Sequence, residues 1–137
     1  DEIDAQGYCI KGGGGALARE KVIAAASQQF IALAEVKKRV TRLGKKMPIP
    51  VEVLPMARSF IARKLVALGG QPVYREGFVT DNGHVILDVH HLPFRAAHEL
   101  DEALNALPGV VAHGLFVQEK PSQCLYVDHG TVTSVVF

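Results

Sequence analysis

The stretch GYCIKGGGGALAREKVIAAASQQFIALAEV, residues 7–36, decides how this chain is read. Tyr8, Cys9 and Ile10 read as the end of a short strand. Four glycines follow Lys11, and from Ala16 to about Gln29 the residues are strong helix formers. Val22, Ile23, Ala26 and Phe30 recur near helical spacing, which predicts that they form the inward face. The run FIALAEV (30–36) is apolar, short and sharply bounded, so it reads as a buried strand. Strand, glycine loop, helix and strand make the βαβ pattern of a parallel sheet.

Working outward, Pro48, Pro50 and Pro55 break that pattern and exclude a helix, which places a lobe boundary near Met47. Beyond it the chain reads as strand (51–54), helix (57–68) and a Gly69-Gly70 stop, then strand (72–78). A TDNG turn (80–83) with the Asn-Gly of a tight hairpin leads to a strand (84–90), a helix (96–107) and a strand (110–117). Two βαβ halves in that order predict the ferredoxin-like split arrangement, four antiparallel strands with two helices on one face. Its helices carry the stripes Phe60, Ile61, Leu65, Leu68 and Leu100, Ala103, Leu104, Leu107. Two last strands, CLYVD and TVTSVVF, are placed to return to the first sheet. The predicted fold class is α/β. A βαβ parallel-sheet (Rossmann-like) lobe, residues 1–47 with 118–137 and incomplete at its N-terminus, joins an α+β ferredoxin-like lobe, residues 48–117.

Composition narrows the function. Apolar residues make up 48% and charged residues 21%, which predicts a packed core and not a disordered chain. Fifteen basic residues against fourteen acidic leave a net charge of +1, so neither nucleic acid nor an anionic membrane is the expected partner. No apolar run reaches membrane-spanning length, and the acidic start DEIDAQ is no signal peptide. Cys9 and Cys124 lie far apart without metal spacing and read as buried free thiols of a cytosolic protein. The six histidines form no metal-binding motif, so no metal is expected. The acidic cluster Asp1, Glu2, Asp4 reads as a solvated chain end.

The glycine loop is the strongest chemical signal. Without side chains, Gly12 to Gly15 let backbone N–H groups approach a ligand, and the helix behind adds unpaired N–H groups and partial positive charge. Such a loop suits a phosphate, a carboxylate or an enolate oxygen, though it matches neither GxGxxG nor the P-loop, and a plain turn before a helix has the same composition. Glu20 falls in the second turn, close to Lys11 if the loop folds back. A proton transfer through an enediol needs one carboxylate and a cation for the developing oxyanion, which Glu20 and Lys11 would supply. The plainer role for Glu20 is a surface pair with Arg19, Lys21 or a residue one turn on. Lys37, Lys38 and Arg39 follow the strand at the end where parallel sheets gather ligands.

The strings KGGGGALAREK, FIALAEVKK, LGKKMPIPVEVLPMARS, LGGQPVYREGFVTDNGHVILDVH and LPGVVAHGLF together resemble the ribose-5-phosphate isomerase type A family, from Asp1 to about Phe116. The resemblance implies a cofactor-free aldose–ketose isomerase of the non-oxidative pentose phosphate pathway, interconverting ribose 5-phosphate and ribulose 5-phosphate. It implies Glu20 as the base, with Asp1, Lys11, Gly12, Gly13, Gly14 and Lys38 binding the sugar phosphate. It further implies a cytoplasmic homodimer or homotetramer. Glu35 and Lys37 depart from the family pattern, which has an aspartate and a small residue there. The family also has an upstream half with a phosphate-binding Thr/Ser-rich loop, so the 137 residues alone are expected to be nearly inactive. A competing reading from another class is a non-catalytic ligand-binding or oligomerisation module built on the ferredoxin-like lobe.

Overall fold

The computed structural model describes residues 1–137. In chain order the elements are β1 (Glu2–Ile3), β2 (Cys9–Ile10), α1 (Leu17–Ala26), β3 (Ile31–Glu35) and a 3-10 turn at Val36–Lys38. Next come β4 (Ile49–Val53), a 3-10 turn at Pro55–Ala57, α2 (Arg58–Ala67), β5 (Gln71–Tyr74), β6 (Val85–His90) and α3 (Ala97–Asn105). The chain ends with β7 (Val110–His113), β8 (Leu115–Phe116), β9 (Gln123–Asp128) and β10 (Thr131–Val136). No helix is long and apolar enough to cross a membrane.

The result is a mixed α/β architecture with three sheets. Residues 49–113 form a four-stranded sheet in the order β5-β6-β4-β7, every neighbouring pair antiparallel. Helix α2 packs against β5 and β6, and α3 against β7. Strand β4 is central and buried throughout, because Ile49, Val51 and Val53 project into the core that includes Ile61, Leu65 and Leu104. A proline inside a central strand needs a reason. Pro50 pairs with Asp88 on one side, while on the other its carbonyl accepts from Gly114 N–H at 2.8 Å, just past the end of β7. Its missing N–H therefore falls where the ladder has stopped. Helix α2 closes at Gly69 and Gly70, whose N–H groups donate to Val66 and Leu65 carbonyls at 2.9 and 3.0 Å. That double closure leaves Gly69 at φ 95, a conformation glycine adopts without penalty.

The other two sheets meet this unit through a thin partition. Strands β1, β2 and β8 form an antiparallel sheet with register Cys9 to Phe116 and Ile10 to Leu115. Successive side chains of a strand point to opposite faces. Ile10 and Leu115 accordingly join the large core of 15 buried residues, and Cys9 and Phe116 join a small one of 5 with Ile3, Cys124 and Tyr126. The last sheet is β10-β9-β3, with β3 parallel to β9, so the C-terminal strands do return to β3.

Several local expectations change. Strand, loop, helix and strand occur in the predicted order, but β2 and β3 do not pair; β2 is antiparallel to β1 and β8. The run 110–117 is not one strand. The chain leaves the four-stranded sheet at Gly114, and β8 belongs with β2. Strand β5 ends at Tyr74, and TDNG is the tip of a longer loop, closed by Thr80 N–H to the His84 carbonyl at 2.8 Å. On α1 the buried residues are Leu17 and Ala18, whereas Val22 and Ile23 are exposed; the helix packs against β7 and β4 of the four-stranded sheet. Strand β3 has no fully buried residue.

Candidate active site at the glycine loop

Strand β2 delivers Lys11 to the start of the loop, and α1 carries Glu20 back toward it. Gly12 makes the return possible. At φ 78, with Leu17 Cβ 2.3 Å from where a side chain would begin, only glycine fits there without displacement. The loop closes with Gly15 N–H donating to Gly12 carbonyl at 2.9 Å, and α1 then begins at Leu17 with no side-chain cap. Its first N–H groups are therefore unpaired by side chains.

Lys11 Nζ lies 3.1 Å from Glu20 Oε2, each side chain about one-third exposed (31% and 34%). The pair is not one of the plainer surface pairs. Arg19 instead donates to Asn82 Oδ1 at 3.1 Å, and Lys21 donates to the Leu115 carbonyl at 2.8 Å. Asp1 Oδ2 accepts from Gly13 N–H at 2.9 Å, which ties the loop to the chain before β1. Gly14 is exposed, with open space around its Cα.

Beside this pair opens a cleft of about 570 Å³. Asp1, Lys11 and Lys38 line its polar side, with Ala32, Leu33 and Ala34 of β3 among its apolar walls. Lys38 sits in the 3-10 turn at the end of β3. Its neighbour Lys37 is used otherwise, 2.7 Å from Glu35 Oε2, and that hydrogen bond lowers the Glu35 carboxyl below its ordinary value. Cys9 also lines the cleft, but burial pushes its thiol up to about 12, so it serves as wall and not as nucleophile. Asp1, Lys11 and Lys38 thus share one cleft, whereas Gly12, Gly13, Gly14 and Glu20 do not line it; Gly13 is tied to it through Asp1, and Glu20 through Lys11.

Two features escaped the sequence reading. The N-terminal acidic cluster is not a solvated end. Glu2 is 3% exposed and accepts N–H groups of Gly44, Lys46 and Met47 at 2.6, 2.8 and 3.0 Å, pinning the loop before β4. Asp4 accepts from the N–H groups of Gln6 and Tyr8, and burial raises its carboxyl above the ordinary value. The alternation of Glu2 with Ile3 gave no signal that both would be buried. Four of the histidines also have polar partners. His84 lies 3.1 Å from Glu52, His98 3.0 Å from Tyr8, His113 3.1 Å from Asp101 and His129 2.7 Å from Asp128.

Comparison with known proteins shows which family the chain resembles. The model of the family described as ribose 5-phosphate isomerase A (phosphoriboisomerase A) matches residues 1–130. A ribose-5-phosphate isomerase A of Legionella pneumophila (strain Philadelphia 1) is 50% identical over 135 residues, which cover 98% of this chain and 62% of that protein. The crystal structure of ribose 5-phosphate isomerase A from Neisseria gonorrhoeae superposes with a TM-score of 0.96 at 38% identity, covering 99% of this chain and 60% of that one. A D-ribose-5-phosphate isomerase solved in complex with phospho-erythronic acid superposes with a TM-score of 0.95 at 31% identity, covering 100% and 62%. The chain thus spans about three-fifths of the length of the relatives it matches.

Proposed function

The chain belongs to the ribose 5-phosphate isomerase A family, and we propose that it carries the proton-transfer site of an enzyme interconverting D-ribose 5-phosphate and D-ribulose 5-phosphate. The observation that carries this reading is the Lys11–Glu20 pair at 3.1 Å, at the edge of the cleft shared by Asp1 and Lys38. The Glu20 carboxylate takes the proton from C2 of the open-chain aldose. The C2–H electron pair forms the C1–C2 double bond, and the carbonyl electrons pass to O1, giving an enediolate. The Lys11 ammonium is close enough to Glu20 to steady that charge as it develops. The O2 proton passes to O1, and Glu20 returns its proton to C1 as the C1–C2 double bond opens and the C2 carbonyl forms. Electrons and protons balance within the substrate, so the reaction draws on no cofactor.

Asp1 and the loop of Gly12, Gly13 and Gly14 hold the sugar, and Lys38 meets its anionic groups. Phospho-erythronic acid, the ligand of one solved relative, is a phosphorylated sugar acid and supports this ligand class. Residues 48–117 form the ferredoxin-like lobe in this reading, supported by the strand order β5-β6-β4-β7 with α2 and α3 as its crossovers. Residues 1–47 with 118–137 form the catalytic, Rossmann-like lobe, supported by the parallel pairing of β3 with β9. The unpaired thiols Cys9 and Cys124 fit a cytoplasmic setting, and a homodimer or homotetramer completes the reading.

The test is isomerisation of ribose 5-phosphate by the full-length protein, with and without Glu20→Gln. General-base catalysis is worth about 10²–10⁴-fold, so kcat is expected to fall by roughly 10³ in a variant that stays folded. A variant that keeps its rate removes Glu20 from the proton transfer. The 137-residue chain alone is expected to be nearly inactive, because the family's phosphate-gripping loop lies in its upstream part.

A further inference from the structure

Behind the Lys11–Glu20 pair lies a buried polar array that the reaction itself does not use. We propose that Lys21 is a positioning residue for Glu20, anchoring α1 to the segment 113–116 with His113 as its second contact. This inference rests on the reading of Glu20 as the base.

Residues one apart on a helix point about 100° apart around its axis. With Glu20 facing Lys11, Lys21 turns toward the junction of β7 and β8. There its Nζ donates to the Leu115 carbonyl at 2.8 Å, lies 3.3 Å from His113 Nδ1 and sits 4.8 Å from the centroid of the Phe116 ring. Leu115 N–H donates to the same His113 Nδ1 at 3.2 Å, so the neutral ring carries its proton on Nε2, 3.1 Å from Asp101 Oδ1. Asp101 belongs to α3 and also accepts from Asn105 Nδ2, one turn on, at 3.2 Å.

The same short segment also holds the other member of the pair. Lys11 N–H donates to the Gly114 carbonyl at 2.8 Å, Ile10 pairs with Leu115, and Lys11 Nζ is 5.9 Å from the Phe116 ring. Gly114 is packed so closely that a side chain there would begin 2.3 Å from the Lys11 carbonyl. Residues 113–116 therefore fix Lys11 through the backbone and α1 through the Lys21 ammonium. The separation of Lys11 from Glu20 follows from those two attachments.

An apolar side chain would attach α1 without the cost of desolvating an ammonium. What the ammonium adds is direction, since a hydrogen bond to one carbonyl sets the rotation of the helix about its axis. Burial pulls Lys21 down to about 8, partly offset by the carboxylates of Glu119 and Asp101, so it keeps its charge at neutral pH. Catalysis is sensitive to such placement, a shift of about 1 Å costing about 10²-fold.

The experiment is a double-mutant cycle in the full-length protein, reading kcat and KM for ribose 5-phosphate. Lys21→Met keeps most of the stem and removes the donors. It is expected to lower kcat roughly 10- to 100-fold with KM changed less than about 2-fold, and to have little further effect on the residual rate of Glu20→Gln. An unchanged kcat, or an equal loss in both backgrounds, would overturn the inference, because a merely structural role acts whether or not Glu20 can take a proton. His113→Leu removes the second contact and is expected to lower kcat by roughly 3- to 10-fold, again with KM held. Should Lys21→Met fail to fold, that variant decides alone, and a normal kcat sinks the proposal. A Glu20→Gln protein that keeps its rate breaks the base assignment instead, and the inference goes with it.

Discussion

Strands β3 and β4 are each five residues long and mostly apolar, yet they have opposite fates. Every residue of Ile49–Val53 is buried, and none of Ile31–Glu35 is. Strand β4 lies between β6 and β7 with α2 and α3 over one face, whereas β3 has only β9 beside it and walls the cleft. The polar groups divide the same way. Glu52 in β4 is completely buried, and one carboxylate oxygen accepts from Thr80 Oγ1 at 2.7 Å and Asn82 Nδ2 at 3.1 Å. Lys11 and Glu20, by contrast, remain within reach of solvent. One region supplies packing and register. The other keeps charged groups accessible on a frame that it does not itself stabilise.

Removing core volume should break this comparison most sharply. Leu65→Ala is expected to cost about 2–5 kcal/mol in urea unfolding of the 137-residue chain, since Leu65 is fully buried in the large core. Leu33→Ala, at a position 75% exposed, is expected to cost less than about 0.5 kcal/mol. Equal losses would mean that the face of β3 is covered, and the contrast between the two strands would fail.

A smaller effect sharpens the contrast within the glycine loop. Gly12→Ala forces a side chain into a left-handed backbone against Leu17, and about 2 kcal/mol of destabilisation is expected by thermal or urea melts. Gly14→Ala meets open space and should be close to neutral in stability. If both are neutral, the loop is looser than its hydrogen bond from Gly15 to Gly12 implies.

The smallest effect concerns pH. Burial, helped by the Lys21 charge, holds the His113 imidazole below its ordinary value despite the opposing pull of Asp101. The folded state therefore binds fewer protons than the unfolded state below about pH 6.5, and stability falls as pH falls through that range. Burial alone would raise the Asp101 carboxyl, but the His113 imidazole 3.1 Å away and the Lys21 ammonium outweigh it, so its contribution is lost only at lower pH. Unfolding curves between pH 7 and 5 should flatten in His113→Leu. A slope that survives the substitution belongs to another group.

Much of the plan was legible along the chain. Helix α2 and its stop at Gly69, and α3 with Leu100 and Leu104 inward, follow from apolar spacing and from glycine. The glycine loop, its lysine and its glutamate stood out because few turns combine those residues in so short a span. Other readings went astray where local pattern was ambiguous. FIALAEV has the composition of a buried strand, but burial depends on neighbours that no local window contains. Glu2 looked solvated because a charge at a chain end usually is, and only the N–H groups of Gly44, Lys46 and Met47 make its burial tolerable.

By itself, the sequence determined the order and type of most elements, and the presence of a flexible loop flanked by a cation and a carboxylate. These depend on backbone propensity and on side-chain spacing within a few turns. Tertiary structure alone decided that β2 pairs with β8 and β3 with β9, and that Asp1 meets Gly13. It also decided that Lys21 turns inward to His113 while Glu20 turns outward to Lys11. Strand pairing and buried polar contacts join residues distant in the chain. Their energies depend on what is excluded from water at each place, which no neighbouring residue specifies.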